Sequence, residues 1–292
     1  MKYLYYPGCS LEGTAHEYNM STRALLGAMG VEFVEIEDWT CCGASAAEPI
    51  SSLLSLSLAA RNIAMAEKEE DIIDILVPCS ACYINLKRVM ETVRKDPGTY
   101  ARINTVLAEE GLHLGRRMRV RHLLDVLATD LGPGIIRKNR TQNLSNLSIA
   151  PYYGCQCLRP YIEFDNPEAP TSMEPLIEAT GASVFPWDMG GRCCGASHMN
   201  TKMEVALELT GSILMAADGV DAIVTVCPMC QMNLEAYQKK ISDKSGRLID
   251  MTVLYLPQLL GMALGVQSED LGLKLNLAIT DTFRDKTNRA VA

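Results

Sequence analysis

Several things are scarce in this chain of 292 residues, and each scarcity removes a class of function. Histidines number four, phenylalanines four and tryptophans two, too few for a histidine-rich metal centre or an aromatic platform for nucleic acid. Positive charge is in deficit, with 27 Lys and Arg against 35 Asp and Glu. A formal charge of -8 leaves no basic stripe for nucleic acid, though it permits a local cationic pocket for an anion. Long apolar runs are missing: the cleanest, Leu259 to Val266, falls far short of a bilayer span, and MKYLYYPGCS reads as no signal peptide. A soluble, cytoplasmic protein is the expectation. Nor is there a GxGxxG fingerprint, a C-x-x-C-x-x-C-x-x-x-C-P run or a haem motif, so electrons for any redox chemistry must come from a partner.

What the chain has is cysteine, and ten of its eleven cysteines fall into two copies of one pattern. The first copy is Cys9, the vicinal pair Cys41 and Cys42 in CCGAS, then Cys79 and Cys82 in CSAC. The second is Cys155, the pair Cys193 and Cys194 in an identical CCGAS, then Cys227 and Cys230 in CPMC. Vicinal and C-x-x-C spacings favour metal binding or redox chemistry over a disulfide framework. Five thiols per set is one more than a cubane iron–sulfur cluster or a tetrahedral zinc needs. Adjacent cysteines can scarcely both face one small ion, whereas they can bind neighbouring irons of a larger cluster. Zinc in one half, stabilising a docking subunit, is the alternative.

The repeat extends past the cysteines. YLYYPGC at 3–9 matches APYYGC at 150–155, and CSACYINL at 79–86 matches CPMCQMNL at 227–234. In each half a strand ends at the first cysteine, an amphipathic stretch follows (Tyr18 to Met29; Met173 to Ala179), and a second strand, VEFVEI or ASVFPW, runs to the vicinal pair. A longer helix (Pro49 to Glu69; Met203 to Ala217) then leads to a buried strand, IIDILVP or AIVTVCP, that delivers the C-x-x-C at the start of another helix. VRHLLDVLATDLG at 120–132 resembles VLYLPQLLGMALG at 253–265, and the first half carries an extra helical insert near Tyr100 to Gly111. The expected fold class is α/β: two pseudo-twofold-related domains, 1–145 and 146–292, each a mainly parallel sheet flanked by helices, with clusters at an interdomain cleft. The polar, basic segment 132–148 reads as the linker, and 267–292 shows no convincing period.

These motifs resemble the CCG-domain (cysteine-rich domain) family over roughly 3–265, in the two-domain form of the heterodisulfide reductase B subunits of methanogenic archaea. The resemblance implies a noncubane [4Fe-4S] cluster on Cys9, Cys41, Cys42, Cys79 and Cys82, and a second on Cys155, Cys193, Cys194, Cys227 and Cys230. It implies reduction of the mixed disulfide of coenzyme M and coenzyme B to two thiols, as part of methanogenesis. It also implies a ferredoxin-like C subunit as electron donor, fed by a flavin-bearing, electron-bifurcating A subunit coupled to hydrogenase or formate dehydrogenase. Related CCG subunits of glycolate, lactate and succinate dehydrogenases give the rival reading. The second copy departs from the family in its shorter spacing between vicinal pair and C-x-x-C, and Cys157 competes with Cys155 as first ligand. Because the implied substrate is anionic, Arg192, Arg159, Lys202 and His198 are the candidate contacts. His16, His113 and His122 read as structural, and Tyr5, Tyr6, Tyr152 and Tyr153 as sheet packing near the clusters.

Overall fold

A computed structural model describes every residue except Ser45 and Ala292. The first repeat runs β1 (Lys2–Tyr5), α1 (Cys9–Glu12), α2 (His16–Ala28), β2 (Glu32–Glu35), α3 (Ser52–Ala66), β3 (Asp74–Val77), α4 (Ser80–Lys95), α5 (Pro97–Leu107) and β4 (Arg119–His122). A short α6 (Leu123–Asp125) passes through a π-helical turn into α7 (Gly132–Asn139). The second repeat runs β5 (Ser148–Tyr152), α8 (Glu174–Ala179), β6 (Ser183–Val184), α9 (Met203–Ala216), β7 (Ala222–Thr225), α10 (Pro228–Ala236), α11 (Gln238–Ser245), β8 (Thr252–Tyr255) and α12 (Leu256–Ala263), and the tail ends in α13 (Asp281–Val291).

The two sheets share one topology. Their strand orders are β2-β1-β3-β4 and β6-β5-β7-β8, and every pairing is parallel. In such a sheet the connections from β1 and β3 leave in opposite directions, opening a crevice beyond the carboxyl ends of those two neighbours. Cys9 follows β1 and Cys79 follows β3, so both reach that crevice; Cys155 after β5 and Cys227 after β7 repeat the placement. Central β7 and edge strand β8 are both buried along their whole length, as helix-covered parallel strands are. Local signals start the helices that frame the crevice. The Ser51 side chain caps α3 by accepting from the Leu54 amide at 3.3 Å, and Asp96 caps α5 ahead of Pro97.

Compact packing cuts the chain elsewhere than at the repeat boundary expected near residue 146. One unit comprises Met1–Thr14 and Val31–Leu123; the other comprises Ala15–Gly30 and Leu124–Ala292. Helix α2 of the first repeat is therefore built into the second unit. There Tyr18 stacks on Tyr255 with ring centroids 4.0 Å apart and 3° between planes, and its hydroxyl donates to the Val226 carbonyl at 3.2 Å. The stretch read as a linker is also structured. Pro133 opens α7 at a position where no amide partner is needed, Ile136 is buried, and the Thr141 and Gln142 amides donate to the Ala263 carbonyl at 2.9 and 3.0 Å. Strand β6 is shorter than ASVFPW suggested because Pro186 cannot continue the ladder.

The tail is pinned by a buried carboxyl. Glu235 on α10 accepts from Asn276 Nδ2 at 3.3 Å and from the Ala278 amide at 3.4 Å, and burial pushes it up from 4.5 to about 7. The folded protein thus holds a proton that the unfolded chain releases, so this group's contribution to stability is present at acid pH and is lost as pH rises from 4.5 to about 7. Glu235→Gln keeps the acceptor without the charge. Thermal melts from pH 5 to 8 should show the variant's advantage over wild type growing by about 2 kcal/mol between pH 5 and pH 8.

Candidate metal centre

In the first unit the five thiols form a contiguous string, and in the second they form two runs that meet only through the adjacent residues Cys193 and Cys194. In the first unit Cys9 and Cys41 sulfurs lie 3.5 Å apart, Cys41 hydrogen-bonds Cys42, Cys42 and Cys82 lie 3.3 Å apart, and Cys82 bonds Cys79. In the second, Cys155 bonds Cys193, Cys194 and Cys230 lie 3.5 Å apart, and Cys230 bonds Cys227. Each string runs from an open end to a closed one: Cys9, Cys41 and Cys193 are exposed, while Cys42, Cys79, Cys82, Cys194, Cys227 and Cys230 are buried. Cys157 lies outside the string. Its buried thiol donates to the Tyr153 carbonyl at 3.2 Å, whereas Cys155 sits against Cys193.

The same backbone devices hold both strings. Gly8 adopts φ 73 and ψ 162, a region open only to glycine, and a Cβ there would come within 2.6 Å of Cys82 Sγ. Gly154 repeats this, with φ 70 and a would-be Cβ 2.9 Å from Cys230 Sγ. These close approaches bring the chain carrying Cys9 or Cys155 over the C-x-x-C. After each vicinal pair the glycine amide turns back on the first sulfur, Gly43 N–H on Cys41 at 3.5 Å and Gly195 N–H on Cys193 at 3.3 Å.

Polar side chains that were not among the sequence candidates complete the frame. Tyr6 hydroxyl donates to the Thr40 carbonyl and Tyr152 hydroxyl to the Arg192 carbonyl, both at 2.7 Å, so a phenol fixes the peptide preceding each vicinal pair. Burial, then the neighbouring thiolates, push both phenols up, which keeps them protonated and able to donate. Asn85 and Asn233 donate to the carbonyls of Cys42 and Cys194 at 3.3 and 3.2 Å. The shared C-x-x-C-x-x-N-L carried that signal. In the first unit Ser80, inside the C-x-x-C, meets buried His122 Nε2 at 3.1 Å, consistent with a structural histidine.

Electrostatics favour thiolate at one position in each string. Hydrogen bonds from Cys41 and Cys82, with help from the Ala44 amide and Asn85, hold Cys42 down to about 3, while its partners Cys41 and Cys82 are pushed up. Cys193 is held down to about 6, first by Cys155 and then by the Gly195 amide and the charges of His198 and Arg159.

The anion-contact candidates separate. Arg159 and Arg192 line a cavity of about 660 Å³ whose wall includes Cys193, Trp187, Asp188 and Glu174. Arg159 is already engaged with the Gly191 carbonyl at 2.5 Å and the Pro167 carbonyl at 3.2 Å. His198 contributes charge near Cys193 from a short 3-10 turn, and Lys202 stands exposed at the start of α9, outside that cavity lining.

The donor set is all sulfur, and among the described residues no three His, Cys, Asp or Glu side chains are grouped to hold a single metal ion. A string of five thiols, buried at one end and reachable at the other, fits a multi-iron cluster, which takes ligands at separate irons.

The comparisons with known proteins agree with this geometry. The model of the CCG cysteine-rich domain matches residues 3–87 and 149–235, one match per repeat. The 8-methylmenaquinol:fumarate reductase membrane anchor subunit of Wolinella succinogenes is 35% identical over 94% of this chain and 96% of its own length. The ferredoxin/F420H2-dependent CoB-CoM heterodisulfide reductase of Methanosarcina acetivorans has a B subunit that is 31% identical over 92% of this chain and 91% of its own. A crystal structure of a hypothetical protein from Helicobacter pylori shares the fold, with a TM-score of 0.75 and 15% identity, over 96% of this chain and 52% of that one. This chain spans about half of that structure. Among the described residues no helix is long and apolar enough to cross a membrane.

Proposed function

The chain belongs to the CCG cysteine-rich domain family, and on that premise we propose that it is the iron–sulfur redox component of an oxidoreductase complex, each repeat holding one noncubane [4Fe-4S] cluster. The observation that carries this reading is the duplicated string of five thiols, built by the same glycine, tyrosine and asparagine contacts in both units. Cys9, Cys41, Cys42, Cys79 and Cys82 would hold one cluster, and Cys155, Cys193, Cys194, Cys227 and Cys230 the other. When bound, such clusters supply one-electron transfer, so a pair of them matches a two-electron substrate. The protein's own part is to fix the ligand loops, to keep the phenols of Tyr6 and Tyr152 protonated, and to present Arg159 and Arg192 beside Cys193.

For the substrate, the reading supported by the relatives named as heterodisulfide reductase B subunits is the mixed disulfide of coenzymes M and B, reduced to its two thiols. In the cavity next to Cys193, Arg192 is the cation offered to an anionic group, since Arg159 is held by the Gly191 and Pro167 carbonyls and by Glu168. Electrons would arrive from a ferredoxin-like C subunit served by a flavin-bearing A subunit. A second reading has its own support: the relative at 35% identity is named for a menaquinol:fumarate reductase, which favours an electron relay from a quinol to a dicarboxylate-reducing partner.

One anaerobic experiment separates them. Reconstituted protein is assayed with a reduced dye against the heterodisulfide and simple disulfides, and in parallel for electron transfer from a reduced menaquinone analogue. Dye oxidation with the heterodisulfide alone supports the first reading. Inertness toward every disulfide, with oxidation of the quinol analogue, transfers the assignment to the second.

A further inference from the structure

The internal repeat provides its own control for surfaces, because a face covered in one half and bare in the other identifies a missing neighbour. The glycine after each vicinal pair fixes the register of α3 against α9: a Cβ on Gly43 would meet Leu58, and one on Gly195 would meet Ala206. Leu58 therefore matches Ala206, and by the same offset Ser57 matches Val205, Ala60 matches Glu208 and Ala64 matches Ser212. A second observation agrees, since Asn62 and Thr210, matched by that offset, both reach back to the backbone of the vicinal loop, at Thr40 and Cys194.

In the first repeat this face of α3 is covered. Helix α5 packs against α3 and α4 with Ile103 and Leu107 buried, and Ala60 and Ala64 of α3 are 0% and 4% exposed. In the second repeat α10 and α11 take the place of α4, and the chain then passes straight to β8 with no counterpart of α5. The matched positions are open: Val205 is 44% exposed, and Glu208 and Ser212 are exposed, as is Met215 further along α9 at 38%. Between α9 and α11 lies a groove of about 380 Å³, floored by Leu207, Gly211, Met215 and Ile241 and edged by the Glu208–Lys244 ion pair at 3.3 Å.

We infer that this groove seats one amphipathic helix of a second polypeptide, in the position that α5 occupies in the first repeat. The occupant's chemistry follows from α5 itself: two apolar residues spaced i,i+4, as Ile103 and Leu107 are, on a helix whose other face is polar. A second copy of the chain has no free α5 to offer, because those two side chains are already buried at home. A lipid surface would be met by a broad basic face, and this rim is narrow and carries both signs of charge. The location also has a use. Leu207 and Ile241 of the groove floor belong to the same packed core as Cys194, Cys227 and Cys230, so a helix in the groove would cover the core that carries part of the second set of thiols. The docking inference holds whether or not those thiols carry iron.

The test uses the complex isolated from its source with tagged full-length chain. A photo-reactive benzoylphenylalanine replaces Ser212, and cross-links are mapped by mass spectrometry. The expected result is attachment to a helix of a different polypeptide bearing an i,i+4 apolar pair. Cross-links to a second copy or to lipid overturn the inference, as does no cross-link from an intact complex. The double variant Val205→Lys with Met215→Lys, both at exposed positions, should lower recovery of that polypeptide at least tenfold while the melting temperature stays within about 2 °C. Unchanged recovery overturns the inference too, and amide exchange of residues 205–216, slower in the complex than in the isolated chain, is the readout if the variant does not fold.

Discussion

On the proposed assignment of one cluster to each repeat, replacing Cys42 with serine is expected to leave only the second. Reconstituted wild type should contain about eight irons per chain and the variant about four, since each repeat would hold a four-iron cluster. Cys42 is the right residue because it sits at the middle of its string, against Cys41 on one side and Cys82 on the other, and is the thiol most strongly supported as thiolate. A serine hydroxyl is a weak ligand for iron and ionises far less readily than a thiol. Turnover of any two-electron substrate should fall more than a hundredfold, because one of the two single-electron sites is gone. Iron and acid-labile sulfide analysis checks the first number and the dye assay the second. Cys157→Ser serves as control, as its thiol faces the Tyr153 carbonyl instead of the string, and it should keep all its iron. Full iron content in Cys42→Ser, or half content in Cys157→Ser, rejects the ligand assignment.

The second large effect requires no change to any cysteine. Gly8→Ala forces a side chain into a backbone conformation essentially reserved for glycine, at a strain of about 1–3 kcal/mol. It also places a methyl group 2.6 Å from Cys82 Sγ, where something must move. The sulfur and the loop cannot both keep their places, so the first-repeat cluster should be lost or reduced to a small fraction, with a fall of several degrees in melting temperature. Gly111→Ala separates geometry from strain. Gly111 also has positive φ, at 67°, yet a Cβ there meets nothing within 4 Å. That variant should lose about 1 kcal/mol and no iron. Equal iron loss in both would mean that the approach of Gly8 to Cys82 is incidental.

Much of this architecture was legible in the residues. Alternating strands and helices in the same order twice implied two parallel sheets, and the position of each first cysteine and each C-x-x-C after a buried strand implied convergence at the carboxyl ends. Spacing alone left Cys155 and Cys157 competing; in the structure Cys155 lies beside Cys193, whereas the Cys157 thiol donates to the Tyr153 carbonyl. The hydroxyls of Tyr6 and Tyr152 were hidden for a physical reason. Their partners are backbone carbonyls 34 and 40 positions away, and a carbonyl has no letter in a sequence. Helix α7 was masked by its glycines and basic residues, which resemble a linker until Ile136 finds a core. The incorporation of α2 into the second unit was equally invisible, since an amphipathic helix encodes that it must bury a face and not which neighbour will cover it.

That last feature bears on how such a chain can arise and be dissected. Tyr18 belongs to the first repeat by sequence and lies on Tyr255 of the second in space, with its hydroxyl on the carbonyl next to Cys227. A truncated gene encoding only the second repeat would leave Tyr255 without its stacking partner and the C-x-x-C loop without a tether. Splitting the chain between repeats into two separately expressed pieces therefore divides a folding unit, whereas two pieces that keep residues 15–30 with 124–292 would require a rearranged order of the gene. The two repeats align in sequence but not in packing: the boundary along the chain and the boundary between folding units fall in different places.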